Sequence, residues 1–193
     1  MNTLLLHCRA GFENEACAEI SDVASRLDVA GYAKAKPASA YAEFVCSEAD
    51  GPQKIMRGQR FAKLIFPRQW ARGAFIDLPE KDRISVLLAY LAAYPQCGSL
   101  WLEVLDTNDG KELSKFCKMF EAPLRKALLK AGKLVDDPLR PRLLLTFKSG
   151  REVFVGLAES NNCAMWPMGI PRLKFPREAP SRSTLKLEEA WHH

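Results

Sequence analysis

The residues of this chain whose types and spacing could do chemistry are cations at helical intervals. Six lysines recur three or four residues apart on either side of Pro123, so each group of three shares one face of a helix. They are Lys111, Lys115 and Lys118, then Lys126, Lys130 and Lys133. Apolar residues at the same spacing predict that the opposite face is buried. Such cations can contact phosphates without specifying a base, although an ordinary amphipathic helix has the same pattern.

A second cationic segment, residues 161–174, is rich in proline. It combines Trp166 with Arg172 and Lys174, and Phe175 follows directly. Aromatic rings can stack on unpaired bases, and arginine can both stack and bind phosphate. The alternative is a proline-stiffened linker that its aromatic residues fix to a domain surface.

The positive charge is concentrated in the second half of the chain. The formal net charge is +5, but residues 1–100 contain 12 Lys and Arg against 11 Asp and Glu, whereas residues 111–186 contain 16 against 7. A local excess of this kind favours a polyanionic partner such as a nucleic acid. A solvated, lysine-rich surface is the alternative.

The sequence lacks the motifs of a self-sufficient enzyme. Its eleven glycines form no G-x-G, and it has neither a P-loop nor a G-x-S-x-G nucleophile motif. His7, the only internal histidine, falls in a predicted strand, which favours a packed residue over a catalytic base. The six cysteines form no C-x-x-C pair, so we expect buried thiols and no metal site. No apolar run approaches the ~20 residues of a membrane span, so we expect a cytoplasmic protein without membrane contact.

Two successive sets of helices and strands would position these cations. Apolar periodicity in the first set predicts the order β-α-β-β-α-β, which is that of a ferredoxin-like split unit. Its elements are a strand over 3–8, a helix over 12–27, strands over 31–36 and 40–46, a helix over 53–60 and a strand over 63–70. Residues 73–79 have the composition of a linker.

The second set predicts a further α+β unit that carries the lysines. Its elements are a helix over 80–94, a strand over 99–105, a helical region over 111–132, and a hairpin of strands over 142–148 and 152–158. Pro123 is expected to end one helix and start another after a kink. The prolines after residue 165 preclude a regular helix until Ser181, where a last helix begins with Ser181 or Ser183 as its N-cap.

Several stretches resemble a known family. CRAGFENEACAEI, LIFPRQW, DTNDGKELSKFCKMFEAPLRKAL and SNNCAMWPMGIPRLKFPREAPSRSTLKLEEA are similar to the bacterial ribosomal RNA large subunit methyltransferase M family, and the similarity covers essentially the whole chain. The resemblance implies an α+β fold with a ferredoxin-like domain over residues 1–76 and a THUMP RNA-binding domain over 77–165. Residues 166–193 would be a linker and a first helix leading into a Rossmann-like methyltransferase domain that this chain lacks.

The family resemblance also implies a chemistry. Members use S-adenosyl-L-methionine to methylate the ribose 2′-hydroxyl of a cytidine in 23S rRNA. By the same resemblance, Ser183 would contact the methyl donor. Lys186 would be the first lysine of the family's K-D-K-E catalytic set, in which a lysine helps to remove or orient the 2′-hydroxyl proton.

Together with this resemblance, the charge pattern predicts a monomeric, RNA-binding part of a methyltransferase that is inactive alone, does not bind S-adenosyl-L-methionine, and positions 23S rRNA mainly by phosphate contacts. The candidate contacts are Lys111, Lys115, Lys118, Arg125, Lys126, Lys130, Arg172 and Lys174. Two alternatives remain, a protein–protein adaptor that docks through its proline-rich tail and a complete enzyme with an unrecognised site.

Overall fold

The computed structural model describes residues 1–171, 173, 181 and 183–192, and seven strands and five α-helices lie within this part. The strands are β1 (Thr3–His7), β2 (Gly31–Ala35), β3 (Tyr41–Cys46), β4 (Gln69–Asp77), β5 (Ser99–Val104), β6 (Arg142–Phe147) and β7 (Glu152–Ala158). The helices are α1 (Glu13–Arg26), α2 (Gly51–Gly58), α3 (Arg83–Tyr90), α4 (Asn108–Lys130) and α5 (Ser183–His192). Short 3-10 turns follow α2 and α3 and lie at Pro167–Gly169.

All seven strands form one sheet in the order β2-β3-β1-β4-β7-β6-β5. β4 joins the two halves because it pairs antiparallel with β1 on one side and with β7 on the other. β5 pairs in parallel with β6 and lies at one edge of the sheet. The predicted α+β class is confirmed, and the first half has the predicted β-α-β-β-α-β order.

α1 shows why the first half forms where the sequence predicts it. Its apolar residues at helical spacing, Ala16, Ile20, Val23 and Ala24, are all buried against the sheet. The buried carboxylate of Glu13 accepts hydrogen bonds from the backbone N–H groups of Gly11 (3.0 Å) and Ala40 (2.8 Å). The start of α1 is thereby fixed to the turn that precedes β3.

The predicted strand over 63–70 and the predicted linker over 73–79 were wrong. Residues 61–63 form a 3-10 turn, and β4 begins only at Gln69 and runs through Gly73 to Asp77. Pro67 explains the late start, since proline has no N–H for a strand ladder. Gly73, which suggested a linker, lies so close to the carbonyl of Val155 that a Cβ at this position would collide with it.

The predicted break of the lysine-bearing helix at Pro123 was also wrong, since α4 is one helix of 23 residues. Pro123 lies on the exposed side of α4, as does Met119, whose carbonyl would have accepted the missing hydrogen bond. Water can satisfy that carbonyl on the solvent side, so the helix continues. The side chain of Thr107 caps the start of α4 by accepting from the N–H of Gly110 at 3.1 Å.

Two hydrophobic clusters lie against the sheet. The first contains α1, α2 and the inner residues of β1 and β3, with Trp70 fully buried in it. The second lies between the other half of the sheet and helices α3 and α4, and contains Leu87, Leu124, Leu128 and Phe147. α4 is therefore held on the sheet by one side only, and its other side faces solvent.

Candidate nucleic-acid interface

α4 displays the predicted lysines as one continuous row. Because α4 is not interrupted, the residues before and after Pro123 keep a common helical register. Cys117, Leu124 and Leu128 are buried on its inner side. Five lysines are exposed on its outer side, and we call them the lysine stripe: Lys111, Lys115, Lys118, Lys126 and Lys130. At 1.5 Å per residue the stripe is about 29 Å long.

The ammonium groups of the lysine stripe form no ion pair in the described part of the chain. Among the described residues, no carboxylate lies within 4.0 Å of any of the five ammonium groups. Lys111 Nζ donates to the side-chain oxygen of Asn108 at 3.4 Å. Met119 and Leu129 lie between the lysines, 73% and 54% exposed. The stripe therefore offers cations together with apolar contact area.

Arg125 differs from the stripe lysines because it has structural partners. Its Nη2 donates to Glu121 Oε1 at 2.9 Å and to the backbone carbonyl of Leu100 at 3.1 Å. These bonds tie α4 to β5, yet the side chain is still 41% exposed. Lys133, which the spacing placed on the same face, lies beyond the end of α4, and its Nζ donates to the carbonyls of Ala92 and Tyr94 at 2.7 and 2.9 Å.

The other predicted cations, Arg172 and Lys174, lie outside the described residues, as does Phe175. The segment just before them, residues 160–171, is the linker segment, and it is fixed to the sheet. Asn162 holds it most firmly: its side-chain oxygen accepts from Phe61 N at 2.7 Å, and its Nδ2 donates to the carbonyls of Met56 (2.6 Å) and Gln59 (2.9 Å). For these residues the docked-linker alternative fits the contacts.

Arg142 of β6 holds the linker segment on its other side. Its Nη1 donates to the carbonyl of Ala164 at 2.9 Å and contacts Cys163 Sγ at 3.2 Å, and its Nε donates to Ser99 Oγ at 3.3 Å. The same guanidinium lies 3.5 Å from the centroid of the Trp101 ring. The guanidinium therefore covers one face of the Trp101 ring in a favourable cation–π contact.

A buried polar cluster lies beneath the linker segment, and sequence reasoning missed most of it. His7 was expected to be a packed residue, and its Nε2 is 3.0 Å from Thr146 Oγ1 and 3.6 Å from Glu103 Oε2. Glu103 Oε1 accepts from the backbone N–H of Met168 at 2.6 Å. Gln69 Oε1 accepts from the N–H of Ala164 at 3.2 Å. The sequence feature that could have indicated this cluster was the carboxylate of Glu103 inside the otherwise apolar strand SLWLEVL.

Burial sets the protonation of this cluster. Loss of solvation lowers the pKa of His7 to about 4, so the imidazole is neutral at pH 7. Loss of solvation also raises the pKa of Glu103 to about 7, against the opposing effect of the Met168 N–H. Glu103 Oε2 has no hydrogen-bond partner among the described residues. At pH 7 His7 is therefore neutral and Glu103 is near the midpoint of its titration, and both side chains are buried.

A groove follows the open edge of β5, between α4 and the linker segment. Its larger part, about 430 Å³, is bounded by Lys118 and Glu121 on one side and by Pro167 and Met168 on the other. A smaller part of about 310 Å³, which we call the Trp101 cleft, continues the groove past Glu121 and Pro167. The cleft is lined by Ser99, Leu100, Trp101, Leu102, Glu121, Arg125 and Pro167.

Ser183 and Lys186 both lie in α5, and both are exposed. The N–H of Ser183 donates to Ser181 Oγ at 3.2 Å, so Ser181 has the N-cap role. Neither residue lines the groove or the cleft described above. The catalytic and cofactor-binding roles of Ser183 and Lys186 therefore stay predictions.

The remaining chemistry of the described residues is limited. They contain no group of three or more His, Cys, Asp or Glu arranged to hold a metal ion. All six cysteines are free thiols, and four of them are buried. Over the same ranges, no helix combines the length and the apolar character that crossing a membrane requires.

Comparison with known proteins gives two family matches. The RlmM ferredoxin-like domain matches residues 1–71, and the N-terminal domain of ribosomal RNA large subunit methyltransferase M matches residues 82–159. The proteins named ribosomal RNA large subunit methyltransferase M from Pseudomonas syringae pv. syringae (strain B728a) and Azotobacter vinelandii are 79% and 76% identical to the chain. Each is matched over the whole chain and over 54% of its own length, so the chain spans about half of these relatives.

A solved structure shares the fold. PH1313 from Pyrococcus horikoshii Ot3 superposes with a TM-score of 0.50 over 82% of this chain and 55% of that one, at 8% sequence identity. This likeness concerns the arrangement of helices and strands alone.

Proposed function

Because the chain belongs to the ribosomal RNA large subunit methyltransferase M family, we propose that it is the rRNA-binding N-terminal part of a 23S rRNA (cytidine-2′-O)-methyltransferase. In this role residues 1–76 form the ferredoxin-like domain and residues 77–165 the THUMP domain. The chain binds and positions rRNA in the cytoplasm as a monomer. Methyl transfer from S-adenosyl-L-methionine is the task of the longer protein.

The observation that carries the RNA-binding role is the lysine stripe. Five exposed ammonium groups extend along one helix for about 29 Å, and none of them forms an ion pair with a carboxylate in the described part of the chain. Phosphate groups of an RNA duplex recur along a comparable length, and each contact releases condensed counterions. The stripe supplies affinity and orientation, since lysines carry no information about base sequence.

Ser183 and Lys186 line neither the groove nor the Trp101 cleft, so we assign binding of the methyl donor to the part of the longer protein that this chain does not cover. Ser183 and Lys186 would contribute from α5 once that part is present. They lie three residues apart and therefore on one face of the helix, as a shared site requires. S-adenosyl-L-methionine would supply the electrophilic methyl group, and Lys186 would orient the 2′-hydroxyl proton.

The test is salt-dependent binding of a 23S rRNA fragment from the peptidyl-transferase region to the 193-residue chain. We expect the logarithm of the affinity to fall linearly with the logarithm of the salt concentration. Replacing Lys115, Lys118 and Lys126 by Gln should lower the slope by about 2, because each lost phosphate contact removes roughly 0.7–0.9. An affinity that is the same at low and moderate salt contradicts the proposal.

A matched control distinguishes binding by the lysine stripe from binding that depends only on net charge. Lys36, Lys63 and Lys81 are exposed lysines on other parts of the fold, and replacing them by Gln removes the same charge. We expect the control triple to keep most of the wild-type slope. Equal losses in the two triples would show that net charge, and not α4, drives binding. Co-purification of one protein after RNase treatment, without RNA binding, would favour the adaptor alternative.

A further inference from the structure

We propose that a cavity between residues 61–68 and the linker segment is the docking site for the catalytic part, by which we mean the part of the longer protein that follows this chain. This inference rests on the proposed function, which assigns methyl transfer to that part. The cavity has a volume of about 480 Å³, and Ile65 and Met165 both line it. We call it the Ile65–Met165 cavity.

Ile65 and Met165 present apolar surface to solvent at this cavity. Their side chains are 81% and 73% exposed. One exposed apolar residue is ordinary, but two that line the same cavity form a surface that a partner can cover. Arg68 is the only charged residue lining the cavity in the described part of the chain, and its Nη1 is 3.4 Å from Asp106 Oδ2. The cavity therefore suits an apolar protein surface better than a phosphate.

Both walls of the cavity are held in place by the rest of the fold. On one wall, the Glu19 carboxylate of α1 accepts from the backbone N–H groups of Ile65 at 2.8 Å and Phe66 at 2.9 Å. On the other wall, Ala164 precedes Met165 and is bonded to side chains of β4 and β6 through its N–H and its carbonyl. A surface that is ordered before docking loses little conformational entropy when a partner covers it.

The course of the chain identifies the occupant. Gly169 lines the cavity, and only twelve peptide units separate Pro171 from Ser183 at the start of α5. Twelve units span at most about 43 Å, so the catalytic part begins within reach of the cavity. Nearly half of the length of each relative lies outside the match. A part tethered so closely has an effective concentration of about millimolar, so a modest apolar contact can hold it.

The position of the cavity gives this docking a use. Asp106, which pairs with Arg68 of the cavity, comes two residues before the start of α4. The cavity therefore lies beside the first turn of the helix that carries the lysine stripe. A catalytic part docked there lies next to RNA that the stripe holds.

Oxidation of methionines by dilute hydrogen peroxide, read by mass spectrometry, tests the docking, because a thioether covered by protein reacts more slowly. Met119 of α4 is the matched internal control, since it is 73% exposed, as Met165 is. We expect both to react at similar rates in the 193-residue chain. In the longer protein Met165 should react about tenfold more slowly, as a site that is docked about 90% of the time gives, and Met119 should keep its rate.

Ile65→Asp in the longer protein should restore the Met165 rate of the 193-residue chain, because a carboxylate in the contact opposes docking. Leu139→Asp is the control variant: Leu139 is 89% exposed and does not line the cavity, so Met165 should stay protected. In the 193-residue chain, Ile65→Asp should leave the salt dependence of RNA binding unchanged, which also shows that the variant is folded.

Equal Met165 rates in the two proteins overturn the docking site and leave the proposed function standing. Protection of Met165 that survives Ile65→Asp also overturns it, since the contact is then elsewhere. Protection of Met165 by RNA in the 193-residue chain would assign the cavity to RNA instead. Absence of RNA binding by the chain overturns the proposed function, and it is measured independently of the Met165 rates.

Discussion

Nε2 of His7 in β1 lies 3.0 Å from Oγ1 of Thr146 in β6, although β4 and β7 separate these two strands in the sheet. In a flat sheet, strands three positions apart are about 14 Å from one another. The contact therefore requires a strongly curled sheet whose concave side encloses the polar cluster. The linker segment closes this cluster through the Met168 and Ala164 amides, so the ends of both halves and the linker meet in one place.

The two ionisable residues of this cluster should give the stability opposite dependences on pH. The raised pKa of Glu103 favours the folded state fully below about pH 4.5, and this contribution is lost as the pH rises through about 7. The lowered pKa of His7 favours the folded state above about 6.5, and this contribution is lost as the pH falls through about 4.

Single substitutions should separate the two contributions. In Glu103→Gln only the histidine remains, so the free energy of unfolding should rise with pH between about 4 and 6.5. In His7→Gln only the carboxyl group of Glu103 remains, so the free energy of unfolding should fall between about pH 4.5 and 7. Each slope can reach about 1.4 kcal/mol per pH unit. Urea denaturation between about pH 4 and 7 measures both slopes, with the His7→Gln/Glu103→Gln double variant as the reference. If the two single variants gave slopes of the same sign, the proposed protonation of His7 and Glu103 would be wrong.

Asn162→Ala should release the linker segment from the 3-10 turn after α2. The substitution removes three hydrogen bonds, those to Phe61, Met56 and Gln59. We expect a loss of about 1–3 kcal/mol in the free energy of unfolding and faster hydrogen exchange at the Phe61 amide. The neighbouring Asn161 is exposed, so Asn161→Ala is the control and should change neither quantity. Unchanged protection of Phe61 in Asn162→Ala would contradict this role.

Gly169 should tolerate no side chain, because its backbone has φ +65° and a Cβ would collide with the carbonyl of Arg68. We expect Gly169→Ala to lower the free energy of unfolding by about 2–4 kcal/mol. Gly132 has nearly the same φ, +66°, but open space around it, so Gly132→Ala should lose only about 1 kcal/mol. Thermal denaturation of the two variants separates collision from backbone strain, and equal shifts in Tm would argue against the collision.

Isothermal titration of the chain with S-adenosyl-L-methionine should give no measurable heat of binding. The reason is that Ser183 and Lys186 are exposed and line neither the groove nor the Trp101 cleft. A full-length relative should bind the same ligand under the same conditions and serves as the positive control. Micromolar binding by the 193-residue chain would contradict the assignment of the donor site to the rest of the longer protein.

Local patterns predicted most elements of the fold but placed the fourth strand over 63–70, whereas β4 is Gln69–Asp77. Apolar periodicity located α1, and a continuous apolar run located β1, because the buried residues of each element are visible along the chain itself. β4 depends instead on partners far away in sequence, such as Leu157 opposite Arg72. Gly73 suggests a linker until its neighbour in β7 is known.

Part of the candidate interface could likewise be predicted from local sequence, and part could not. The lysine stripe follows from helical spacing alone, and only its continuity past Pro123 needed the structure. The Trp101 cleft could not be predicted, since its walls come from β5, α4 and the linker segment. Asn162 gave no local signal either, because its partners lie more than 100 residues earlier in the chain.

The double pairing of β4 has a mechanical consequence. Force applied to α4 by a bound RNA passes through a shared backbone ladder into the first half of the molecule, so the halves rotate as one body instead of bending at a hinge. Cutting the chain after residue 76 would separate β4 from β7 and leave each with an unpaired strand edge. Unpaired edges can form hydrogen bonds with other molecules. Attempts to produce either half separately should therefore yield aggregates.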